Sequence, residues 1–155
     1  MNELIRNSID LLKDLIEIES FSFNESKTGN RIEKWFISND IKFKRNKNNV
    51  FAFNKFYNSE KPTILLNSHH DTVKPNKGYN NDPFKSKIEN GKLYGLGSND
   101  AGGSLVSLIA VFTYYYNRQD LKYNLIILAS AEEECSGENG IASIIPTLPK
   151  IDFAI

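Results

Sequence analysis

The chain of 155 residues has a single cysteine, Cys135, so no disulfide can form within it and a reducing compartment fits. It lacks an excess of either charge: 19 Lys+Arg stand against 19 Asp+Glu. Nucleic-acid and membrane-surface binders usually carry a basic excess, so neither partner is expected. The one basic stretch, Lys42 to Lys47, reads as a solvated strand end and turn. Long apolar runs are also missing. The first residues carry Glu3 and Arg6 and make neither a secretory signal nor a membrane span. The expected location is the cytoplasm. Histidine is scarce too, yet both copies stand side by side at 69 and 70.

What remains is ordinary for a globular chain, 40% hydrophobic and 25% charged, and long enough for one domain with a buried core. Leu4, Ile5, Ile9, Leu12, Leu15 and Ile16 recur at helical spacing, which predicts a helix over 2–18. A second helix is expected over 25–39, with Ile32, Trp35 and Phe36 on one face. Residues 41–45 and 49–57 read as strands, and Thr63–Leu66 as a strand buried on both faces. Asn90-Gly91 between Lys85–Ile88 and Lys92–Tyr94 signals a tight hairpin. Leu105–Tyr116 is apolar nearly all round and predicts a fully buried helix. Tyr123–Ala131 reads as another buried strand, 138–145 as a short helix and 151–155 as a last strand. Alternating strands and helices predict an α/β fold, a layered α/β/α domain whose mixed sheet has flanking helices.

Three polar clusters interrupt this pattern where apolar runs end or begin: His69-His70-Asp71, Asp100, and Glu132-Glu133-Glu134. Side chains alternate along a strand, so His69 and Asp71 share a face and His70 takes the other. A metal-binding imidazole usually has its second nitrogen held by a carboxylate. Taken alone, His-His-Asp is a polar strand end, Asp100 a helix-start residue and the three glutamates a solvated loop. Gly102 and Gly103 beside Asp100 are more than a cap needs and suggest a close backbone approach. Three adjacent carboxylates repel one another unless a cation or solvent offsets them. Together, the order and placement point to a metal site at a sheet edge.

Four stretches resemble the co-catalytic zinc amidohydrolases that include acetylornithine deacetylase, succinyl-diaminopimelate desuccinylase, aminoacylase and carboxypeptidase G. They are Asn67–Val73, Asp82-Pro83-Phe84 with Gly91–Asp100, Glu132–Glu134 with Gly137 and Gly140, and Pro149–Ile155. The resemblance implies that His69 binds one metal, Glu134 the other, and Asp100 both. It also implies that Asp71 orients His69, that Glu133 is the general base, and that the Asp100–Ala101 peptide is cis. Two departures stand out: Glu132-Glu133-Glu134 where the family often has Asp-Glu-Glu, and Asp100-Ala101-Gly102-Gly103 where it commonly has a lysine after the bridging aspartate.

The implied cofactor is a pair of Zn2+ ions, with Co2+ or Mn2+ as substitutes. The implied substrate is a small N-acyl amino acid. Ser98–Gly102 with Glu134–Gly137 look most like acetylornithine deacetylases. That suggests N2-acetylornithine or N2-succinylornithine, converted to ornithine in arginine biosynthesis. A dipeptidase or aminoacylase of the same family is the alternative, and so is an inactive remnant that only binds or supports. By the resemblance, residues 1–155 are the N-terminal portion of a catalytic domain. The lid or dimerisation domain and the C-terminal part are then absent, homodimerisation belongs to the full length, and the 155 residues alone are inactive.

Overall fold

The structure is a computed structural model that describes residues 2–155. Helix α1 spans Asn2–Ile16 and α2 Ser26–Ser38; strands β1 (Phe43–Asn46) and β2 (Asn49–Phe53) follow. Next come β3 (Thr63–His69), the small strands β4 (Lys87–Glu89) and β5 (Lys92–Tyr94), and helix α3 (Gly103–Tyr115). Strand β6 (Asn124–Ser130), a single helical turn α4 (Ile141–Ile144) and the two-residue strand β7 (Phe153–Ala154) complete the order. Five strands form one sheet in the order β1-β2-β6-β3-β7, and β4 pairs only with β5. The first two pairings are antiparallel, while β6-β3 and β3-β7 are parallel. The sheet is therefore mixed, with helices against it, as the alternation of elements predicts.

One face of the sheet is covered by three helices. Leu11 and Leu15 of α1, Ile32, Trp35 and Phe36 of α2, and Leu105, Ile109 and Phe112 of α3 pack there on Val50, Leu66, Ile127 and Ala129. Burying a side chain such as Ile109 or Phe112 contributes about 1.5–3 kcal/mol, and both are fully buried. The other face carries Phe51, Leu65, Ile126 and Leu128 under Ile144 of the single turn α4. Ile126, Ile127 and Leu128 are all 0% exposed, as a central strand covered on both sides requires.

Several local expectations need correction. Helix α3 is not buried all round: Val111 and Tyr114 are 45% and 48% exposed. The helix packs on β3 and β6 and beside α1 through Leu105, Val106, Ile109 and Phe112, and its remaining face is open to solvent. On α1, Ile5 and Ile9 likewise face outward, and the buried stripe runs through Ser8, Leu11, Leu15 and Ile16. The basic stretch is not simply solvated, because Arg45 reaches Asn30, Ser26 and Asn48 and pairs with Glu33 at 3.3 Å. The last strand is shorter than predicted, only Phe153–Ala154. The tight turn at Asn90-Gly91 is present, with left-handed φ of 52° and 74°.

Register places the functional segments. Strands β3 and β6 run parallel with His69 opposite Ser130, so both end at one edge of the sheet. The chain leaving β6 enters the acidic loop beside His69. The turn Ser98–Gly102 docks on the same edge, where the Ser68 hydroxyl donates to the Ala101 carbonyl at 3.3 Å.

Candidate metal centre

His69 is the last residue of β3 and is buried. Its Nδ1 lies 2.9 Å from the backbone carbonyl of Asp71 and 3.4 Å from that residue's carboxylate. A carbonyl oxygen only accepts, so Nδ1 carries a proton and donates it. The imidazolium carries its second proton on Nε2 and donates it to Asp100; once that proton is lost, a lone pair is presented at Nε2. That atom points at the acids: Asp100 Oδ1 is 3.1 Å away and Glu133 Oε2 3.7 Å. Burial by itself would lower the His69 pKa. Hydrogen bonds to Asp71 and Asp100 and the Asp71 charge outweigh it and raise the pKa to about 9.

Asp71 has a second task that spacing along the chain did not reveal. Its carboxylate accepts from the Ser22 hydroxyl at 2.8 Å and from the backbone N–H groups of Glu133 and Glu134, each at 3.1 Å. It thus ties the end of β3 to the acidic loop across more than sixty residues of chain. Burial pushes its pKa up, but the His69, Ser22 and amide contacts dominate and hold it down at about 2.

Asp100 sits in the bent turn ahead of α3, with its carboxylate 76% exposed, and is not the helix cap; Gly102 is. The peptide Asp100–Ala101 is cis. The glycine expectation is refined here. A Cβ on Gly102 would lie 2.7 Å from both the Gly97 carbonyl and Leu12 Cδ1, so the close approach is to the chain's own atoms.

The three adjacent glutamates have three different surroundings. Glu132 is buried, with a left-handed φ of 55°. Its carboxylate turns back to accept from Asn139 N at 3.0 Å and Asn139 Nδ2 at 2.9 Å. A Cβ on Gly137 would stand 2.1 Å from Glu132 Oε2, which explains a glycine there. The Glu133 carboxylate is 56% exposed and faces His69. Glu134 is half-buried; burial raises its pKa, and the negative charges of Asp100, Asp71 and Glu133 add to this against His69.

His70 lies on the opposite side of the strand, as alternation predicts. It is buried, with Nε2 2.9 Å from the Asn48 carbonyl and Nδ1 2.8 Å from the Thr28 hydroxyl. Burial pushes its pKa down to about 4, so it is a neutral core histidine.

His69, Asp100 and Glu134 come together. One ligand atom from each lies within 4.8 Å of the other two. One imidazole and two repelling carboxylates are a donor set suited to a divalent ion such as zinc. A cation would remove the repulsion that raises Glu134. The residues therefore fit the implied metal. A cleft of about 310 Å³ leads away from Asp100 and Glu134 along Val73, Tyr79 and Ser98. Reading the sequence missed Ser22, Asn48 and Glu25, which support this edge from behind. By spacing Glu25 belongs to the start of the helix expected over 25–39, and nothing in its neighbours marks it otherwise.

The model of the peptidase family M20/M25/M40 matches residues 65–155. A succinyl-diaminopimelate desuccinylase of Wigglesworthia glossinidia brevipalpis is 32% identical over 152 residues, covering 93% of this chain and 39% of that protein. One from Rickettsia bellii is 31% identical over 107 residues, 64% of this chain and 27% of that protein. Human carnosine dipeptidase 1 superposes with a TM-score of 0.75 at 18% identity, over 96% of this chain and 38% of that one. A dinuclear metal-binding peptidase of Bacillus subtilis gives 0.73 at 19%, over 99% and 43%. At such identities the structural likeness speaks for the fold. The chain spans about two fifths or less of the length of the curated relatives described.

Proposed function

Given that the chain belongs to the peptidase family M20/M25/M40, we propose that it forms the metal-binding part of an amide hydrolase acting on N-acylated diamino acids. The single observation that carries this is the convergence of His69, Asp100 and Glu134 beside the exposed carboxylate of Glu133. In this reading His69 and Glu134 would each hold one of two divalent ions, zinc by preference, and Asp100 would be available to both. A metal bound there supplies Lewis-acid polarisation of an amide carbonyl and lowers the pKa of water toward neutrality. Glu133, the free carboxylate nearest His69, takes the proton of the attacking water and returns it to the leaving amine. Asp71 keeps His69 in the tautomer that leaves Nε2 free and holds the loop carrying Glu133 and Glu134.

The acyl group is narrowed from two sides. The desuccinylase relatives favour an N-succinyl substrate such as succinyl-diaminopimelate. The stretches Ser98–Gly102 and Glu134–Gly137 resemble deacetylases acting on N2-acetylornithine. Both are N-acyl derivatives of a diamino acid, the class proposed. Each zinc needs about four donors, so three side chains, only one of them shared, do not complete two sites. The remaining ligands, and any dimer contacts, then come from outside residues 1–155, and this chain alone binds metal weakly and hydrolyses nothing.

The test is a substrate panel of N2-acetylornithine, N2-succinylornithine, N-succinyl-diaminopimelate and neutral dipeptides. It is run with zinc, cobalt and manganese on the 155-residue chain and on the whole protein carrying it. Amine release from an acylated diamino acid by the whole protein supports the proposal. A marked preference for dipeptides overturns the substrate class, and full turnover by the 155 residues overturns the need for further ligands.

A further inference from the structure

Glu25 is completely buried, and nothing in the mechanism above uses it. It directly precedes α2, near the positive end of that helix. No cation pairs with it among the described residues; Arg45, close by in the fold, pairs with Glu33. Its charge is met by N–H donors alone. Oε1 accepts from Phe23 N at 2.8 Å and from Glu132 N at 3.2 Å. Oε2 accepts from Asn48 Nδ2 at 2.8 Å. The backbone carbonyl of that same Asn48 receives Nε2 of His70.

Set beside Asp71, this contact makes a pattern. The backbone N–H groups of Glu132, Glu133 and Glu134 are three in a row, and all three end on carboxylate oxygens. Asp71 takes the second and third, and Glu25 takes the first. The loop that carries the proposed base and a proposed ligand is thus clamped between two buried acids from distant parts of the chain. We infer that Glu25 is a positioning residue for the metal centre, fixing Glu132 and through it the places of Glu133 and Glu134. The inference rests on the functional reading above for its catalytic consequence, but not for the clamp itself.

A carboxylate is required here because every partner is a donor. Glutamine has the same shape but turns one oxygen into an NH2 group. In either orientation that group meets an N–H: Phe23 and Glu132 on one side, Asn48 on the other. Glu25→Gln therefore breaks the clamp without emptying the core.

The experiment compares the whole protein carrying this chain with its Glu25→Gln variant, by amide hydrogen exchange in the metal-free state, by cobalt titration with visible spectroscopy, and by steady-state kinetics. Exchange at residues 132–134 should quicken at least about tenfold, while Ile126–Leu128 of β6 keep their protection. Cobalt affinity should fall roughly 10- to 100-fold, as when an outer partner of a metal site is lost. The spectrum of the remaining cobalt complex should change, and kcat should drop more than KM changes. Unchanged exchange at 132–134, or exchange that quickens equally in β6, overturns the inference. So does an unaltered cobalt spectrum with wild-type kcat. If Glu25→Gln does not fold, Asn48→Ala removes one donor from Oε2 and leaves Glu25 in place. It should show the same local quickening in smaller measure, and none would overturn the clamp. If the wild type binds no cobalt, the proposed function falls, while the exchange measurement still decides the role of Glu25.

Discussion

His69 and His70 are neighbours in the chain and opposites in the fold. His69 faces the sheet edge where Asp71, Asp100 and Glu133 gather, and its pKa is raised to about 9. His70 faces the core between α2 and the β1–β2 turn, and its pKa is lowered to about 4. Both are buried, and burial lowers the pKa of each. The difference lies in the partners: carboxylates stabilise an imidazolium, whereas a backbone carbonyl and a hydroxyl satisfy the neutral ring. One step along a strand takes a side chain from a binding edge to a structural core.

The largest test of that contrast is on the side of His69. Glu133→Gln, in the whole protein, should lower kcat by about 10²–10⁴-fold, the scale of general-base catalysis, with metal content unchanged by elemental analysis. Glu134→Gln should instead strip metal. The reverse outcome would exchange the two roles.

Next in size, His69→Ala should weaken metal binding by more than about 100-fold, beyond the usual cost of losing an outer partner. His70→Ala should leave metal affinity within about tenfold, because His70 touches the site only through the backbone. Competition titration against a chelator dye measures both. Comparable losses in the two variants would erase the distinction.

His70→Ala should show its effect in stability. It leaves the Asn48 carbonyl without its imidazole donor, and a buried unsatisfied group costs about 1–3 kcal/mol; the Thr28 hydroxyl keeps the Glu25 carbonyl as its acceptor, and the space left by the ring adds a cavity cost. Urea denaturation followed by circular dichroism should register a destabilisation of about 2–4 kcal/mol.

The smallest effects are in pH. His70 titrates at about 4 when folded, against about 6.5 when unfolded. Below pH 6.5 the unfolded chain takes up a proton that folded His70 refuses, so its contribution is full above 6.5 and lost as pH falls toward 4. The slope is about 1.4 kcal/mol per pH unit. His69 has the opposite sign. With a folded pKa of about 9, its contribution is full below 6.5 and lost as pH rises from 6.5 to 9. Since a metal needs the neutral ring, metal affinity should climb up to about tenfold per pH unit until about pH 9. Denaturation curves of wild type and His70→Gln between pH 4 and 6.5 should diverge in slope. A metal titration in weak buffer at pH 7.5 should release a proton from His69. Parallel curves, or no proton release, would remove the electrostatic basis of the contrast.

Local pattern made much of this legible. Helical spacing located α1 and α2 to within two residues at each end. The Asn90-Gly91 hairpin and the buried strands β3 and β6 followed from turn chemistry and unbroken apolar runs. The clusters that hold His69, Asp100 and Glu134 stood out because polar residues where apolar runs end or begin need a reason, whereas the choice of Glu134 among the three glutamates came from the family resemblance. What periodicity could not show is which face of a uniformly apolar helix is covered, as α3 illustrates with Val111 and Tyr114 in solvent. Nor could it separate three identical glutamates.

The order of elements, the strand ends that carry the polar clusters, and the alternation that divides His69 from His70 were determined by the sequence itself, since they depend on neighbours within a few residues. The meeting of His69 with Asp100 and Glu134, the turning of Glu132 into the protein under Gly137, and the clamp of Glu25 and Asp71 on three successive amides were decided by tertiary structure alone. They depend on the parallel register of β3 against β6 and on hydrogen bonds spanning up to 107 residues. A buried carboxylate recruits N–H donors wherever the fold brings them, and no local pattern records where that will be.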